Sequence, residues 1–162
     1  MIVAASFAAG LMYAGEKKKR LDALRSLAGA LELVRAELEN RVSPVPELCL
    51  LLSKRARGQA GDFFAALYPK LGRLGETELA ELWTETAEDC LKILPRPELS
   101  DFSDLGGIIG AYGLEEQLSA LRACEAGLRA AAREAAAAYP DQRRLGLGMG
   151  ASLGAMLALV LL

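Results

Sequence analysis

Residues 79–94, LAELWTETAEDCLKIL, decide the fold class of this chain. Their apolar members recur at the i, i+3, i+4, i+7 spacing that lines up along one face of an α-helix. Trp83 lies on that face, so we interpret it as a core anchor and not as a platform for a ligand. The stretch is therefore predicted to be an amphipathic helix that buries one face against other helices.

Helical spacing continues on both sides of this stretch, and no convincing run alternates with the period of two that a strand requires. Proline and glycine mark the breaks: Ser43 and Pro44 suit the start of a second helix, Ser100 can cap a fifth, and Pro140 ends a sixth. The sequence thus predicts an all-α fold, an antiparallel helical bundle of about six helices with short connections. The helices are predicted around Leu21–Val42, Leu48–Leu52, Phe63–Leu74, Leu79–Leu94, Phe102–Ile109 and Leu114–Tyr139.

Charged residues are confined to the middle of the chain. Residues 1–15 and 145–162 contain no Asp, Glu, Lys or Arg. The C-terminal end is close to the shortest helix that crosses about 30 Å of hydrocarbon, and the N-terminal end is marginal. We predict an N-terminal membrane helix at 1–15, a helical bundle at 16–144 and a C-terminal membrane helix at 145–162. Basic residues at 17–20 and 143–144 flank both ends on the bundle side, so the positive-inside rule places the bundle in the cytoplasm.

Composition disfavours most kinds of chemistry. The chain has no histidine, which excludes a histidine base, a Ser-His or Cys-His nucleophile and a His-ligated metal. Its three cysteines are widely spaced and lack a Cys-x-x-Cys motif, as expected of small buried residues in a reducing compartment. A formal charge of −2 gives no field that would recruit nucleic acid. We therefore predict no catalytic residues, no metal and no cofactor.

Two clusters could suggest a site. The carboxylate pairs Asp101 with Asp104 and Glu115 with Glu116 lie near predicted helix starts, where the helix dipole favours acidic residues. Glycines recur every fourth residue at Gly146, Gly150 and Gly154 without the spacing of a phosphate-binding loop. Small residues at that spacing allow close approach of another membrane helix, so we interpret these glycines as a helix-packing face.

Several strings together resemble the stage III sporulation protein AB family. They are the leucine-rich LRSLAGALE at residues 24–32, which leads to Ser43-Pro44, and the Leu-Gly-x-x-Ile-Gly pattern at residues 105–110. Gln117 and Trp83 occupy positions similar to a glutamine and a tryptophan of the family. The order of these strings, with an apolar segment at each end, extends over nearly the whole chain. Gly113 departs from the family pattern, which has an Asp there.

The resemblance implies a membrane protein of endospore-forming bacteria, made in the mother cell and belonging to the complex that joins mother cell and forespore. Its soluble part is similar to the cytoplasmic domain of the platform protein of type II secretion and type IV pilus machines. By that analogy it is a noncatalytic scaffold that links a cytoplasmic ATPase, a separate polypeptide, to the membrane channel. The implied partners are the other subunits of the stage III complex and the membrane, with neither nucleic acid nor a small-molecule substrate.

We expect the helix-packing or partner interface to include Leu105, Gly106, Ile109, Gly110, Gln117, Gly146, Gly150 and Gly154. The Leu-Gly and Ile-Gly pairs are expected to let the fifth and sixth helices pack closely. An alternative role is a platform-type subunit of a pilus or type II-like secretion system outside sporulation. A membrane enzyme or transporter is disfavoured, because Ser6, Tyr13 and Ser152 are the only polar candidates within the terminal segments.

Overall fold

The computed structural model describes residues 2–40 and 43–160, with the side chains of residues 15–40 and 43–138. Within these residues the chain forms α-helices joined by short connections and contains no β-strand beyond one isolated bridge. The predicted all-α class is confirmed. The helices are α1 (Ile2–Asn40), α2 (Val45–Arg55), α3 (Gly58–Lys70), α4 (Leu79–Cys90), α5 (Arg96–Ile108) and α6 (Leu114–Val160), with a 3₁₀ turn at Leu71–Arg73.

The two long helices α1 and α6 form the largest interface of the bundle. They run antiparallel, since Glu39 meets Arg122 and Glu32 meets Arg129. The remaining contacts run from α1 to α3, α3 to α4, α4 to α5 and α5 back to α6, with α2 packed on α3. We call the end where α1 stops and α6 starts the turn pole, and the opposite end of this pair the terminal pole.

The core lies between these helices and follows the predicted periodicity. The α1 residues Leu24, Leu27, Leu31 and Val34 are fully buried, as their spacing predicts. Four aromatic rings form the centre of the α3, α4 and α5 side, with neighbouring ring centroids 4.9 to 5.9 Å apart. These rings belong to Phe63, Phe64, Trp83 and Phe102, and Trp83 is 1% exposed, which confirms its role as a core anchor.

Several helix ends differ from the predicted ones. α5 begins at Arg96 with Pro97 in its first turn, so Ser100 lies inside the helix and does not cap it. Proline suits a first turn because the N–H that it lacks would have no helical partner there. For the same reason α2 begins at Val45, with Pro46 in its first turn and no cap from Ser43.

The ends of α4 and α6 also differ. α4 stops at Cys90, although Leu91 and Leu94 stay buried in the turn that follows. α6 continues through Pro140, although the sequence predicted an end there; a proline removes one helical hydrogen bond but can be accommodated at a cost. α3 ends at Lys70, directly after Pro69, and so stops before Leu74, where the apolar spacing placed its end.

The described residues include no helix with a stretch apolar and long enough for a membrane span. The predicted membrane helices at 1–15 and 145–162 lie, apart from Gly15, outside the residues whose side chains are described.

Candidate interaction site at the turn pole

Gly106 lies where α5 crosses α4. A Cβ atom at this position would come 2.5 Å from Cβ and 2.6 Å from Cγ of Trp83, closer than atoms can approach. The indole Nε1 of Trp83 donates a hydrogen bond of 2.9 Å to the carbonyl oxygen of Phe102, one turn earlier in α5. Gly106 therefore packs on α4, and the expectation that its close contact would be with α6 is wrong.

The Ile-Gly pair at the end of α5 forms a turn. Ile109 has φ −65° and ψ 120°, Gly110 has φ 81°, and the Ala111 N–H donates to the Ile108 carbonyl at 3.3 Å. These are the features of a type II β-turn, whose third residue needs the positive φ that glycine adopts without strain. The turn ends α5 and sends the chain toward α6.

Leu105 and Ile109 lie next to these glycines and point into the core, where both are buried. Four of the predicted interface residues thus have structural roles within this chain: two apolar side chains fill the core, one glycine allows close helix contact and one allows a turn. Pattern spacing alone explains the two apolar residues, whereas the roles of the glycines depend on the tertiary structure.

Gln117 holds the connection between α5 and α6. Its Nε2 donates a hydrogen bond of 2.7 Å to the carbonyl oxygen of Tyr112, and its backbone N–H donates to the Gly113 carbonyl. Tyr112 itself is 60% exposed. The glutamine therefore fixes the loop that presents an exposed aromatic side chain at the turn pole.

A groove of about 740 Å³ opens beside this loop. Its walls come from the start of α2, the loop before α4, the first turn of α4 and the end of α5. We call it the turn groove; it is lined by Val45, residues 74–80, Gly106, Gly107, Ile109, Gly110 and Ala111. The contribution of the loop 74–78 was not predicted, since the only local signal there was Gly75, which has φ 104°.

The turn groove combines apolar and acidic surface. Leu74 was predicted to lie on a helix face, but it belongs to the loop and is 39% exposed. Glu76 and Glu78 are exposed beside it and form no ion pair within the described part of the chain. Such a surface suits a protein partner that offers apolar side chains together with basic ones.

The α1–α6 interface carries a second set of charges. Glu125 of α6 is 7% exposed and lies between two arginines, with its Oε1 2.8 Å from Arg129 and its Oε2 3.5 Å from Nε of Arg35. Glu39 accepts hydrogen bonds from Arg122 and Arg35, which lower the pKa of its carboxyl group. The Arg35–Glu125 and Arg122–Glu39 contacts join the two long helices and were not predicted.

The cysteine thiols are poorly suited to nucleophilic chemistry. Burial raises the pKa of Cys49 and of Cys124 to about 12, and burial with the nearby Asp89 carboxylate raises that of Cys90. A thiol must lose its proton before it attacks, so these groups are inert near neutral pH. Within the described residues, no three His, Cys, Asp or Glu side chains form a group that could hold a metal.

Asp101, Asp104, Glu115 and Glu116 are all exposed, and the last two lie in the first turn of α6. That position is the one at which the helix dipole favours carboxylates. The predicted packing face at Gly146, Gly150 and Gly154 lies outside the described side chains.

Comparison with known proteins gives two findings. A family model described as Stage III sporulation protein AB matches residues 1–162. A solved structure titled Stage III sporulation protein AB has a TM-score of 0.66 and 18% sequence identity, and the alignment covers 75% of this chain and 97% of that one. At this identity the structural similarity shows the fold alone. No curated protein matches the chain.

Proposed function

The chain belongs to the stage III sporulation protein AB family, as its sequence resemblance predicted, and from this premise we propose that it is a noncatalytic, membrane-anchored scaffold subunit. It acts in the complex that joins mother cell and forespore during endospore formation, where it links a cytoplasmic ATPase to the membrane channel. The observation that carries this proposal is the family match over residues 1–162, which include the bundle and both charge-free ends.

The antiparallel pairing of α1 and α6 supports attachment at one pole. Because the two helices pair in this sense, the sequence before α1 residue 15 and the sequence after α6 residue 138 both continue from the terminal pole. The first continuation, before residue 15, is charge-free and adjoins the basic run at residues 17–20, and the second carries Arg143 and Arg144 before the charge-free segment 145–162. In the proposed topology the two segments cross the cell membrane, and the bundle lies in the mother-cell cytoplasm.

The turn groove is the proposed docking surface for the ATPase. It lies at the pole away from the proposed membrane segments, so a cytoplasmic partner reaches it without obstruction. Its apolar lining and its exposed carboxylates at Glu76 and Glu78 suit protein contact better than chemistry. In this arrangement one pole contacts the membrane and the other contacts the ATPase, as a linking subunit requires.

Site-specific photocrosslinking of the full chain in sporulating cells tests this proposal. Benzoylphenylalanine at Gly107 would enter the turn groove, because an added Cβ there has only the Ala80 Cβ as a neighbour, at 3.9 Å. Glu88, an exposed residue of α4 outside the groove, provides the matched control position. We expect a crosslink to the ATPase of the complex from position 107 and none from position 88.

Other outcomes separate the alternatives. Crosslinks from position 107 to a pilus or secretion ATPase would move the chain to the platform-type role outside sporulation. Crosslinks to the sporulation ATPase from both positions would reject the turn groove as the docking surface. Normal spore formation in a deletion strain would reject the sporulation role itself.

A further inference from the structure

Charge pairing along the α1–α6 interface changes toward the terminal pole. At the turn pole Glu39 pairs with Arg122 at 3.1 Å, and seven residues along each helix Glu32 pairs with Arg129 at 2.7 Å. A further step of seven brings Arg25 beside Ala136, and both line one shared groove. At this level α1 has Arg25 in place of a glutamate and α6 has Ala136 in place of an arginine. These two residues cannot form an ion pair, so the series of pairs ends.

This groove has a volume of about 320 Å³ and contains three arginines, Arg25, Arg129 and Arg133. We call it the arginine groove. Arg129 is paired with Glu32 and Glu125. Arg25 and Arg133 are exposed and form no ion pair with any other described residue. Two of the three arginines of the groove therefore have no carboxylate partner among the described residues.

Small residues form the floor of the arginine groove. Gly29 is exposed, and an added Cβ there would meet nothing within 4 Å. Ala28, Ala132 and Ala136 complete the floor. A ligand can thus approach the backbones of both helices while the arginines reach it from the sides.

The groove lies toward the proposed membrane. One more step of seven from Arg25 is Lys18, within the basic run at residues 17–20, and the charge-free segment precedes that run. From Arg25 to Gly15 is about 15 Å of helix. The headgroup layer is roughly 6 Å deep on each side of a bilayer, and an extended arginine side chain spans much of the remaining length. The guanidinium group of Arg25 can therefore approach the lipid headgroups.

We propose that the arginine groove binds the phosphodiester of an anionic phospholipid headgroup, of which phosphatidylglycerol is the simplest example. Guanidinium groups present paired N–H donors that match phosphate oxygens, and phosphate supplies the negative charge that the pairing along α1 lacks at this level. The proposal rests on the proposed membrane attachment, and it adds a defined lipid site to it. The site sets the rotation and depth of the α1–α6 pair at the membrane surface.

The test uses the full chain in a zwitterionic detergent, titrated with dihexanoyl-phosphatidylglycerol, with dihexanoyl-phosphatidylcholine and with inorganic phosphate. Binding is followed by the rise in melting temperature that a ligand of the folded state produces. We expect the phosphatidylglycerol to bind. The phosphatidylcholine and inorganic phosphate should bind at least about tenfold more weakly, since the site needs both net negative charge and the lipid backbone.

Two pairs of variants locate the site. Arg25→Gln with Arg133→Gln should weaken phosphatidylglycerol binding on the order of tenfold or more, because each basic residue near an anionic lipid surface contributes measurably to affinity. Lys92→Gln with Arg96→Gln removes the same charge from exposed positions outside the groove and should leave affinity unchanged. Gly29→Leu should block the groove and abolish lipid binding while the chain stays folded. Gly127→Leu, at an equally open helical glycine outside the groove, should leave both folding and lipid binding unchanged.

Each remaining outcome overturns the inference. Equal loss of affinity in both charge variants would mean diffuse attraction in place of a site. Equally tight binding of inorganic phosphate would mean a site for a free anion and not for a lipid. If alkaline carbonate extracts the full chain from membranes, the membrane attachment of the proposed function fails. If the chain resists extraction and the R25Q/R133Q variant still prefers phosphatidylglycerol, only the present inference fails.

Discussion

Where α4 meets α5, a glycine faces a tryptophan, whereas along α1 and α6 acidic and basic side chains border a seam of leucine and alanine. In the first contact the Trp83 ring occupies the space that any side chain at Gly106 would need. In the second, Glu32 and Glu39 of α1 pair with Arg129 and Arg122 of α6, and Glu125 of α6 faces Arg35 of α1. Shape therefore dominates the α4–α5 contact, whereas charge pairs accompany apolar packing along α1 and α6.

Removal of the tryptophan should produce the largest loss in the free energy of unfolding. Trp83→Ala deletes a fully buried ring that touches three phenylalanines and leaves a cavity among them. We expect a loss of about 4 kcal/mol in the free energy of unfolding, measured by urea denaturation. A loss below about 1 kcal/mol would mean that the aromatic side of the bundle collapses freely and is not determined by shape.

Addition of a side chain at the facing glycine tests the same contact from α5. Gly106→Leu should cost about 2 to 3 kcal/mol, because its Cβ would overlap Cβ and Cγ of Trp83 and force the two helices apart. Gly107→Leu is the matched control, since its Cβ would meet only the Cβ of Ala80, at 3.9 Å. Thermal melting should separate the neighbours clearly, and equal melting temperatures would reject the close-contact role of Gly106.

At the α1–α6 interface, loss of a buried charge should lower the free energy of unfolding more than loss of an exposed one. Glu125→Gln keeps the size of the side chain but removes the charge that faces Arg35 and Arg129, at an expected cost of about 1 to 2 kcal/mol. Glu32→Gln breaks a pair with the same Arg129, but at an exposed position, and should cost less than about 1 kcal/mol. Urea denaturation of both variants gives the comparison, and the reverse order would contradict it.

The turn at the end of α5 should be less sensitive than the contact at Gly106, although both belong to the same Leu-Gly-x-x-Ile-Gly pattern. Gly110→Ala forces a side chain into a positive φ and should cost about 1 kcal/mol. The Val45 side chain, 3.3 Å from the added Cβ, must also shift slightly. Calorimetric melting of this variant beside Gly106→Ala should give the smaller change for Gly110→Ala.

The sequence predicted what depends on local spacing. The buried faces of α1 and α4 follow from the helical period, and the burial of Trp83 follows from its place on such a face. Helix starts were less accurate: Ser100 is a good capping residue, but Pro97 in the first turn places the start at Arg96. Local signals of similar strength compete there, and tertiary packing decides between them.

Relations between helices could not be predicted in this way. The pattern at residues 105–110 indicated close packing, but the rotation of α5 that turns Gly106 toward α4 depends on the whole aromatic cluster. The seven-residue spacing of Glu32 with Glu39, and of Arg122 with Arg129, was visible in the sequence. Its meaning required knowledge that α1 and α6 are antiparallel neighbours in one register.

The smallest expected effect is a pH dependence at the turn-pole end of the α1–α6 interface. Hydrogen bonds from Arg122 and then Arg35 lower the pKa of Glu39 below its ordinary value of 4.5. Since the unfolded chain takes up this proton first, the stabilisation from Glu39 is present above about pH 4.5 and disappears as the pH falls through the lower pKa of the folded state. The free-energy difference between the wild type and Glu39→Gln should therefore shrink at acid pH, and it should also shrink in high salt, because the pair is exposed and screened. If this free-energy difference stays constant from neutral to acid pH, apolar packing alone holds this end of the two helices. Charge would then contribute to the α1–α6 contact only at the buried Glu125.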